Sequence, residues 1–173
     1  MAGPIEIDVW QGEIAELEVD ALVVGASESL FMTAGAAASV RRRGGHEIER
    51  AAVQQGPIAP GNAVATGGGD LAAPYVIHAV AVGHDRVGDR AQMAAAIRAA
   101  LAFAGPLQLH RMAIALLGVE HGAVDVDRAA EVLVSTLVAG DGETPLESVV
   151  IATAHAPETR AVAAALARHR ARV

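Results

Sequence analysis

The stretch Ala21-Leu22-Val23-Val24 is a continuous apolar run of a length typical of a β-strand that is buried on both faces. Such strands are characteristic of parallel sheets, because helices cover both faces of those sheets. A loop of small residues, Gly25 to Ala36, follows the run and leads into a helical segment. This strand–loop–helix unit predicts an α/β fold.

Outward from this unit, strands and helices alternate along most of the chain. Strands are predicted at Ile5–Val9, Ala21–Val24, Ala63–Ala65, Tyr75–Val80, Arg111–Leu117 and Val149–Ala152. Helices are predicted over Ala34–Gln55 with a break near Gly44-Gly45, from Asp89 to about Ala104 with Gly105-Pro106 as its end, from Asp125 through Val138, and from Pro157 to Arg172. The pattern indicates a three-layer α/β/α sandwich around a mixed, largely parallel sheet of six strands.

The composition favours one folded domain over residues 1–173. Hydrophobic residues make up 53% and charged residues 19% of the chain, which is enough apolar material for a core. The sequence contains no lysine and no cysteine, and this excludes a Schiff-base lysine, a P-loop lysine, thiol catalysis and thiolate zinc sites. The net charge of −7 argues against a protein that coats nucleic acid.

The sequence predicts no targeting segment, no membrane segment and no metal or cofactor. Glu6 and Asp8 interrupt the first apolar pattern, and no stretch of about 18 apolar residues lacks charge. We therefore expect a soluble cytoplasmic protein without a membrane partner. His46-Glu47 matches the start of the HExxH zinc motif, but Arg50 stands at its last position.

Two loops at the carboxyl ends of predicted strands are the first candidates for a ligand site, because ligands of open α/β sheets bind there. One loop is Gly25–Ala36, and the other is Gly118–Ala123. Small residues before a helix N-terminus let backbone N–H groups approach an anion. The two loops could thus hold a diphosphate between them. The alternative is that both are only tight connections, since neither contains a GxGxxG or P-loop motif.

Several segments resemble the macrodomain family in their order and spacing, and small bacterial members in particular. These segments are Gly12-Glu13-Ile14, Val19 to Ser27, Gly61-Asn62-Ala63-Val64 with Tyr75-Val76-Ile77-His78, and Leu116-Leu117-Gly118 through Gly122. The resemblance covers about Ile5 to Leu166. It implies the macrodomain fold and a cleft that binds ADP-ribose.

The resemblance also implies which residues contact that ligand. Glu13 and Ile14 would contact adenine, and Ser27 would face the distal ribose. Backbone N–H groups of Gly35, Ala36, His121 and Gly122 would contact the diphosphate. The other residues expected to line the cleft are Thr33, Ala34, Gly118, Val119, Glu120, Ala123 and His155. Catalysis, if present, would remove ADP-ribose from a protein or nucleic acid or process ADP-ribose 1''-phosphate, with Ser27 and His121 as candidate catalytic residues.

Three departures from the family pattern bear on these roles. Ser27 replaces an asparagine, and a hydroxyl cannot offer both an amide donor and a carbonyl acceptor. Alanines at 36–38 replace family glycines and predict a different loop shape, because an alanine at positive φ costs roughly 1–2 kcal/mol. Glu120 adds a negative side chain near the expected diphosphate. If it points inward, charges about 4 Å apart repel by roughly 4 kcal/mol at an effective dielectric constant of about 20.

We therefore expect recognition of ADP-ribose or a related nucleotide diphosphate sugar, and we favour binding without efficient hydrolysis over ADP-ribosyl hydrolase activity. The partner would be ADP-ribose or an ADP-ribosylated macromolecule, with nucleic acid only as a modified substrate. The alternative is a non-catalytic scaffold that kept the fold and lost the pocket. A weaker alternative is a binder of adenine-rich RNA. The sequence leaves the oligomeric state open.

Overall fold

The computed structural model describes residues 3–120, 122–140 and 143–172. The strands are β1 (Glu6–Gln11), β2 (Ala21–Gly25), β3 (Ala63–Gly67), β4 (Tyr75–Ala79), β5 (Arg111–Ala115) and β6 (Ser148–Thr153). The helices are α1 (Gly35–Gly44), α2 (His46–Val53), α3 (Arg90–Leu101), α4 (Ala104–Leu107), α5 (Val126–Val138) and α6 (Ala156–Arg170), and a 3₁₀ turn spans Ile14–Glu16.

The strands form one sheet in the order β1-β6-β5-β2-β4-β3. Every neighbouring pair is parallel except β3 and β4, which are antiparallel. The prediction of a mixed, largely parallel six-stranded sheet is confirmed. Strand β2 lies at its centre, where Leu22 is in register with Val76 of β4 and Ala113 of β5.

Helices cover both faces of the sheet, which produces three layers. Side chains of β2 alternate between the faces: Ala21 and Val23 pack with the cluster that contains α3, α5 and α6, whereas Leu22 and Val24 pack with the cluster that contains α1 and α2. All four side chains are fully buried. The apolar run at 21–24 thus forms a two-sided core strand, as its composition predicts.

Two aspartates begin helices as predicted. The Asp89 carboxylate accepts the N–H of Gln92 at 3.1 Å, and the Asp125 carboxylate accepts the N–H of Arg128 at 2.8 Å. Each bond satisfies a donor of the first helical turn that has no partner within the helix.

The end predicted for the helix that starts at Asp89, which is α3, is wrong. Helix α3 stops at Leu101, and Gly105-Pro106 lies inside the short helix α4 instead of ending α3. Pro106 is in the first turn of α4, where its missing N–H removes no helical hydrogen bond. The break near Gly44-Gly45 is confirmed, because Gly45 has a φ of 102° and separates α1 from α2.

The connections from the two central strands diverge at their carboxyl ends. The chain leaves β2 for α1 on one face of the sheet and leaves β5 for α5 on the other. Adjacent strands whose connections go to opposite faces leave a crevice between them, and this is where open α/β sheets bind ligands. In the part of the chain that the structure describes, no helix has the length and apolar character to cross a membrane.

Candidate functional site

The crevice between β2 and β5 is bordered by glycines in left-handed conformations. Gly35, at the start of α1, has a φ of 58°, and Gly118 and Gly122, after β5, have φ values of 93° and 69°. An L side chain at such φ values is strained, so glycine is the residue that these turns require. Ser27 of the first loop and Gly118 of the second line one cavity, so the two candidate loops do flank one crevice.

The alanines of the first loop are not forced into strained backbone. Ala36 to Ala38 lie within α1, and Gly35 carries the positive φ at the turn into that helix. Leu30 is the other residue of this loop with a positive φ, 67°, and its side chain is fully buried. The different loop shape predicted from the alanines has no basis in their own conformation, since each adopts ordinary helical geometry.

The Glu120 side chain points into the crevice and lies between the two loops. Its Oε2 accepts the backbone N–H of Gly118 at 3.0 Å. Its Cγ would be 3.0 Å from a β-carbon at Gly35, and its Oε1 lies against the α-carbon of Gly25 at the end of β2. The absence of side chains at these two glycines makes room for the carboxyl group.

This carboxyl group is poorly solvated. Oε1 is buried and has no hydrogen-bond partner among the described residues. Burial raises the pKa of Glu120, the N–H groups of Glu120 itself and of Gly118 lower that pKa, and the nearby Glu158 raises it further. Burial is the largest of these effects, because removing a carboxylate from water disfavours its charged form.

Two cavities meet at Glu120, which contributes to the walls of both. The larger has a volume of about 670 Å³, within the range of small-molecule sites. Six predicted ligand-binding residues besides Glu120 line it: Glu13, Ile14, Gly35, Ala36, Val119 and His155. The smaller has a volume of about 200 Å³ and is lined by the predicted residues Ser27, Thr33, Ala34, Gly118 and Ala123.

Among the described residues of the predicted set, Gly122 lines neither cavity. Gly122 is exposed, and its N–H is bonded to the carbonyl of Val119 at 3.1 Å. This bond occupies the donor that the family resemblance assigned to a diphosphate. His121, the other candidate catalytic residue, lies outside the described residues.

Glu13 is held by hydrogen bonds at the wall of the larger cavity. Its carboxylate accepts the Ser39 hydroxyl at 2.7 Å and the Arg43 guanidinium at 2.8 Å. The hydrogen bond from Arg43 is the main cause of a pKa of Glu13 below its usual value, and the bond from Ser39 acts in the same direction. Glu13 is thus a fixed anionic acceptor at the edge of the cavity.

Ser27 lies in the wall of the smaller cavity, where its Oγ is 3.1 Å from the Oγ of Ser29. A hydroxyl paired with another hydroxyl has no base to take its proton, so this contact does not activate Ser27 as a nucleophile. Among the described residues, Ser27 therefore forms no hydrogen-bonded dyad with a general base.

The residues predicted to contact a ligand did not include several that shape the site, although Gly25 and Phe31 lie in the first candidate loop. Gly25 admits the Glu120 carboxyl group, Arg42 and Glu158 line the larger cavity, and Phe31 and His84 line the smaller one. Of the three consecutive arginines, Arg41 pairs with Glu49 and Arg43 with Glu13 and Glu16. Their divergent directions follow from the rotation of about 100° per helical residue.

His78 is the one histidine among the described residues that is fully buried. It lies in β4, where its Nε2 is hydrogen-bonded to the Thr66 hydroxyl at 3.0 Å, as expected of a core histidine. Burial lowers the pKa of His78 to about 4. Among the described residues, no group of three or more acidic or histidine side chains could hold a metal ion.

Comparison with known proteins identifies the architecture. The family model "Macro domain" matches residues 23–133. An uncharacterized protein of Mycobacterium tuberculosis is 34% identical over 133 residues, which are 77% of this chain and 37% of that protein. The chain therefore spans little more than a third of the length of this relative.

Two solved structures share the fold. The Oceanobacillus iheyensis macrodomain with ADP has a TM-score of 0.88 and 17% identity, covering 100% of this chain and 97% of that one. The Trypanosoma brucei macrodomain in complex with ADP-ribose has a TM-score of 0.84 and 18% identity, covering 93% of this chain and 69% of that one.

Proposed function

This chain belongs to the Macro domain family, and from that premise we propose that its cleft binds ADP-ribose or a related nucleotide diphosphate sugar. The supporting observation is that the space between the two loops already receives an acidic group. The Gly118 N–H donates to the Glu120 carboxyl group there, between the side-chain-free positions 25 and 35. A phosphate oxygen can accept the same kind of bond at the start of α1.

The two cavities fit the two ends of such a ligand. The larger, with the Glu13 carboxylate at its wall, would take the adenosine, because a carboxylate accepts the exocyclic amino group of adenine. The smaller, with Ser27 at its wall, would take the distal ribose. The relatives add support, since the structure of the T. brucei macrodomain contains ADP-ribose.

We propose binding without efficient hydrolysis. The Ser27 hydroxyl is hydrogen-bonded to Ser29, and among the described residues no side chain that could act as a general base is hydrogen-bonded to it. The ligand would be free ADP-ribose or an ADP-ribose group on a macromolecule, and a modified nucleic acid would be recognised through that group only.

A second candidate function is a macrodomain-fold scaffold with a closed pocket. The observation that favours it is the Glu120 carboxyl group, which occupies the position between the loops. The two candidates differ in one measurable property, which is the affinity of the cleft for ADP-ribose.

Isothermal titration calorimetry with ADP-ribose, together with melting temperatures, tests the proposal. Ligand at 100 times its dissociation constant adds about 2.7 kcal/mol to the free energy of unfolding, which raises the melting temperature of a chain of this size by roughly 5–11 °C. Ala36→Glu, which places a charge in the larger cavity, should abolish the shift. Ala163→Glu on the exposed face of α6 is the matched control and should retain it. No heat and no shift at millimolar ADP-ribose would favour the scaffold.

A further inference from the structure

We infer that Glu120 is an internal gate of the cleft: its carboxyl group and the diphosphate of a ligand occupy the same site in turn. The inference rests on the proposed function for the identity of the ligand. It adds that this chain carries its own competitor for the site and that position 120 sets the affinity of the cleft for diphosphates.

The first argument is steric. The Glu120 side chain fills the passage between the end of β2 and the first turn of α1, with Oε1 against Gly25 and Cγ against Gly35. Both cavities have Glu120 in their walls, so the side chain is the partition between them. A ligand that reaches from one cavity to the other must pass through the volume that this side chain fills.

The second argument concerns hydrogen bonds. The Gly118 N–H, which a diphosphate oxygen would accept, is already donated to Oε2 of Glu120. The other carboxyl oxygen, Oε1, is buried without a partner among the described residues. An unpaired buried oxygen costs free energy. Among the described residues, the closed arrangement is therefore held by few hydrogen bonds, and a ligand that bonds the Gly118 N–H would compete with it.

The third argument is the charge around the passage. Glu158 on α6 and Glu13 face the larger cavity, together with Arg42 and His155, while His84 and Arg86 face the smaller one. Glu158 raises the pKa of Glu120 and so disfavours its anion inside the cleft. Outward rotation would return the Glu120 carboxylate to water and leave the N–H of Gly118 for a ligand.

The gate is tested by titrating two probes, inorganic pyrophosphate and ADP-ribose, into the wild-type protein and three variants. Glu120→Ala empties the passage, and we expect it to bind both probes at least tenfold more tightly than the wild type. Glu120→Gln removes the charge but still fills the passage, and its gain should be at most threefold. Glu147→Ala removes an exposed carboxylate at the opposite end of the sheet and should match the wild type.

The two probes separate this inference from the proposed function. Tighter pyrophosphate binding by Glu120→Ala with no ADP-ribose binding would support the gate and overturn the proposed ligand. Equal ADP-ribose affinities for the wild type and Glu120→Ala would overturn the gate and leave the ligand standing. An equal gain for Glu120→Gln and Glu120→Ala would also overturn the gate, because charge and not occupancy would then set the affinity.

If Glu120→Ala folds poorly, NMR spectroscopy of the wild type and of a second variant still tests the gate. Glu120→Ser is a second replacement that empties the passage, and the amide resonance of Gly118 reports directly on the bond to Oε2. In the wild type, this resonance should move when ligand replaces the carboxyl group. In Glu120→Ser it should start from a different position and move further with pyrophosphate. An unchanged starting position would show that the bond is not formed and would contradict the gate.

Discussion

The Glu120 carboxyl group lies directly against the α-carbon of Gly25, so a methyl group at position 25 would overlap Oε1. The two residues are far apart in the chain and meet because β2 and β5 are adjacent in the sheet. Gly25 has no left-handed φ that would require glycine. Glycine at position 25 therefore makes room for the Glu120 carboxyl group and is not required by the backbone conformation of the turn.

Gly25→Ala is therefore expected to push the Glu120 carboxyl group out of the cleft. Because the overlapping atoms are the end of a flexible side chain, the cost in the free energy of unfolding should lie at the low end for overpacking, about 1 kcal/mol. In a Glu120→Ala background the same substitution should cost less than about 0.5 kcal/mol, because the overlapping atoms are gone. Urea unfolding of the four proteins of this double-mutant cycle measures the coupling. Equal costs in both backgrounds would contradict the contact.

The raised pKa of Glu120 predicts a pH-dependent stability difference between the wild type and Glu120→Gln. Below pH 4.5 the carboxyl group is protonated in both the folded and the unfolded wild type, so its ionisation contributes nothing. As the pH rises through and above 4.5, the unfolded state ionises first, and the wild type loses stability relative to Glu120→Gln. Urea unfolding from pH 4 to pH 8 measures this difference. Glu147→Gln, which removes a carboxylate from an exposed side chain, is the matched control.

The pKa of about 4 for buried His78 predicts destabilisation by acid. Between pH 6.5 and pH 4 the unfolded state binds the proton and the folded state does not, so stability falls as the pH falls. A shift from 6.5 to about 4 corresponds to a loss of roughly 3 kcal/mol when the pH has passed below the folded value. His78→Gln should remove this part of the pH slope, and His46→Gln at an exposed position should not. Chemical denaturation at pH 7.0 and 4.5 gives the comparison.

Ser27→Ala should weaken ADP-ribose binding, since the hydroxyl lines the smaller cavity. Loss of one hydrogen bond of about 0.5–1.5 kcal/mol corresponds to roughly a 2- to 13-fold rise in the dissociation constant. Ser29→Ala removes the same internal bond, and Ser29 is not among the residues that line that cavity. Calorimetry measures the dissociation constant of ADP-ribose for both variants, and Ser29→Ala should raise it less than Ser27→Ala does. Equal increases would count against a ribose contact by Ser27.

Asp20 is expected to stabilise the fold without taking part in binding. One of its carboxylate oxygens accepts the N–H groups of His110 and Arg111 at 2.8 and 2.9 Å, which joins the amino ends of β2 and β5. Asp20→Ala should lower the free energy of unfolding by about 1–2 kcal/mol. The dissociation constant for the ligand should change less than twofold, because the cleft is at the other end of both strands. A large loss of affinity in a folded Asp20→Ala protein would contradict this division of roles.

Much of the fold followed from local sequence patterns. The apolar run at 21–24 predicted a two-sided strand, and Asp89 and Asp125 predicted helix starts, because these signals act over a few residues. The end of α3 was predicted wrongly, since Gly105-Pro106 is compatible with both a helix end and the first turn of a new helix.

The sequence by itself determined the order of strands and helices, the two loops at the carboxyl ends of β2 and β5, and the acidic character of position 120. Periodicity, capping and charge are properties of neighbouring residues, so they can be found along the chain. Only the tertiary structure decided that Glu120 points inward, that Gly25 and Gly35 make room for it, and that its side chain separates two cavities. The direction of that side chain depends on the space left by residues about 85 and 95 positions away in the chain, which sheet pairing brings together.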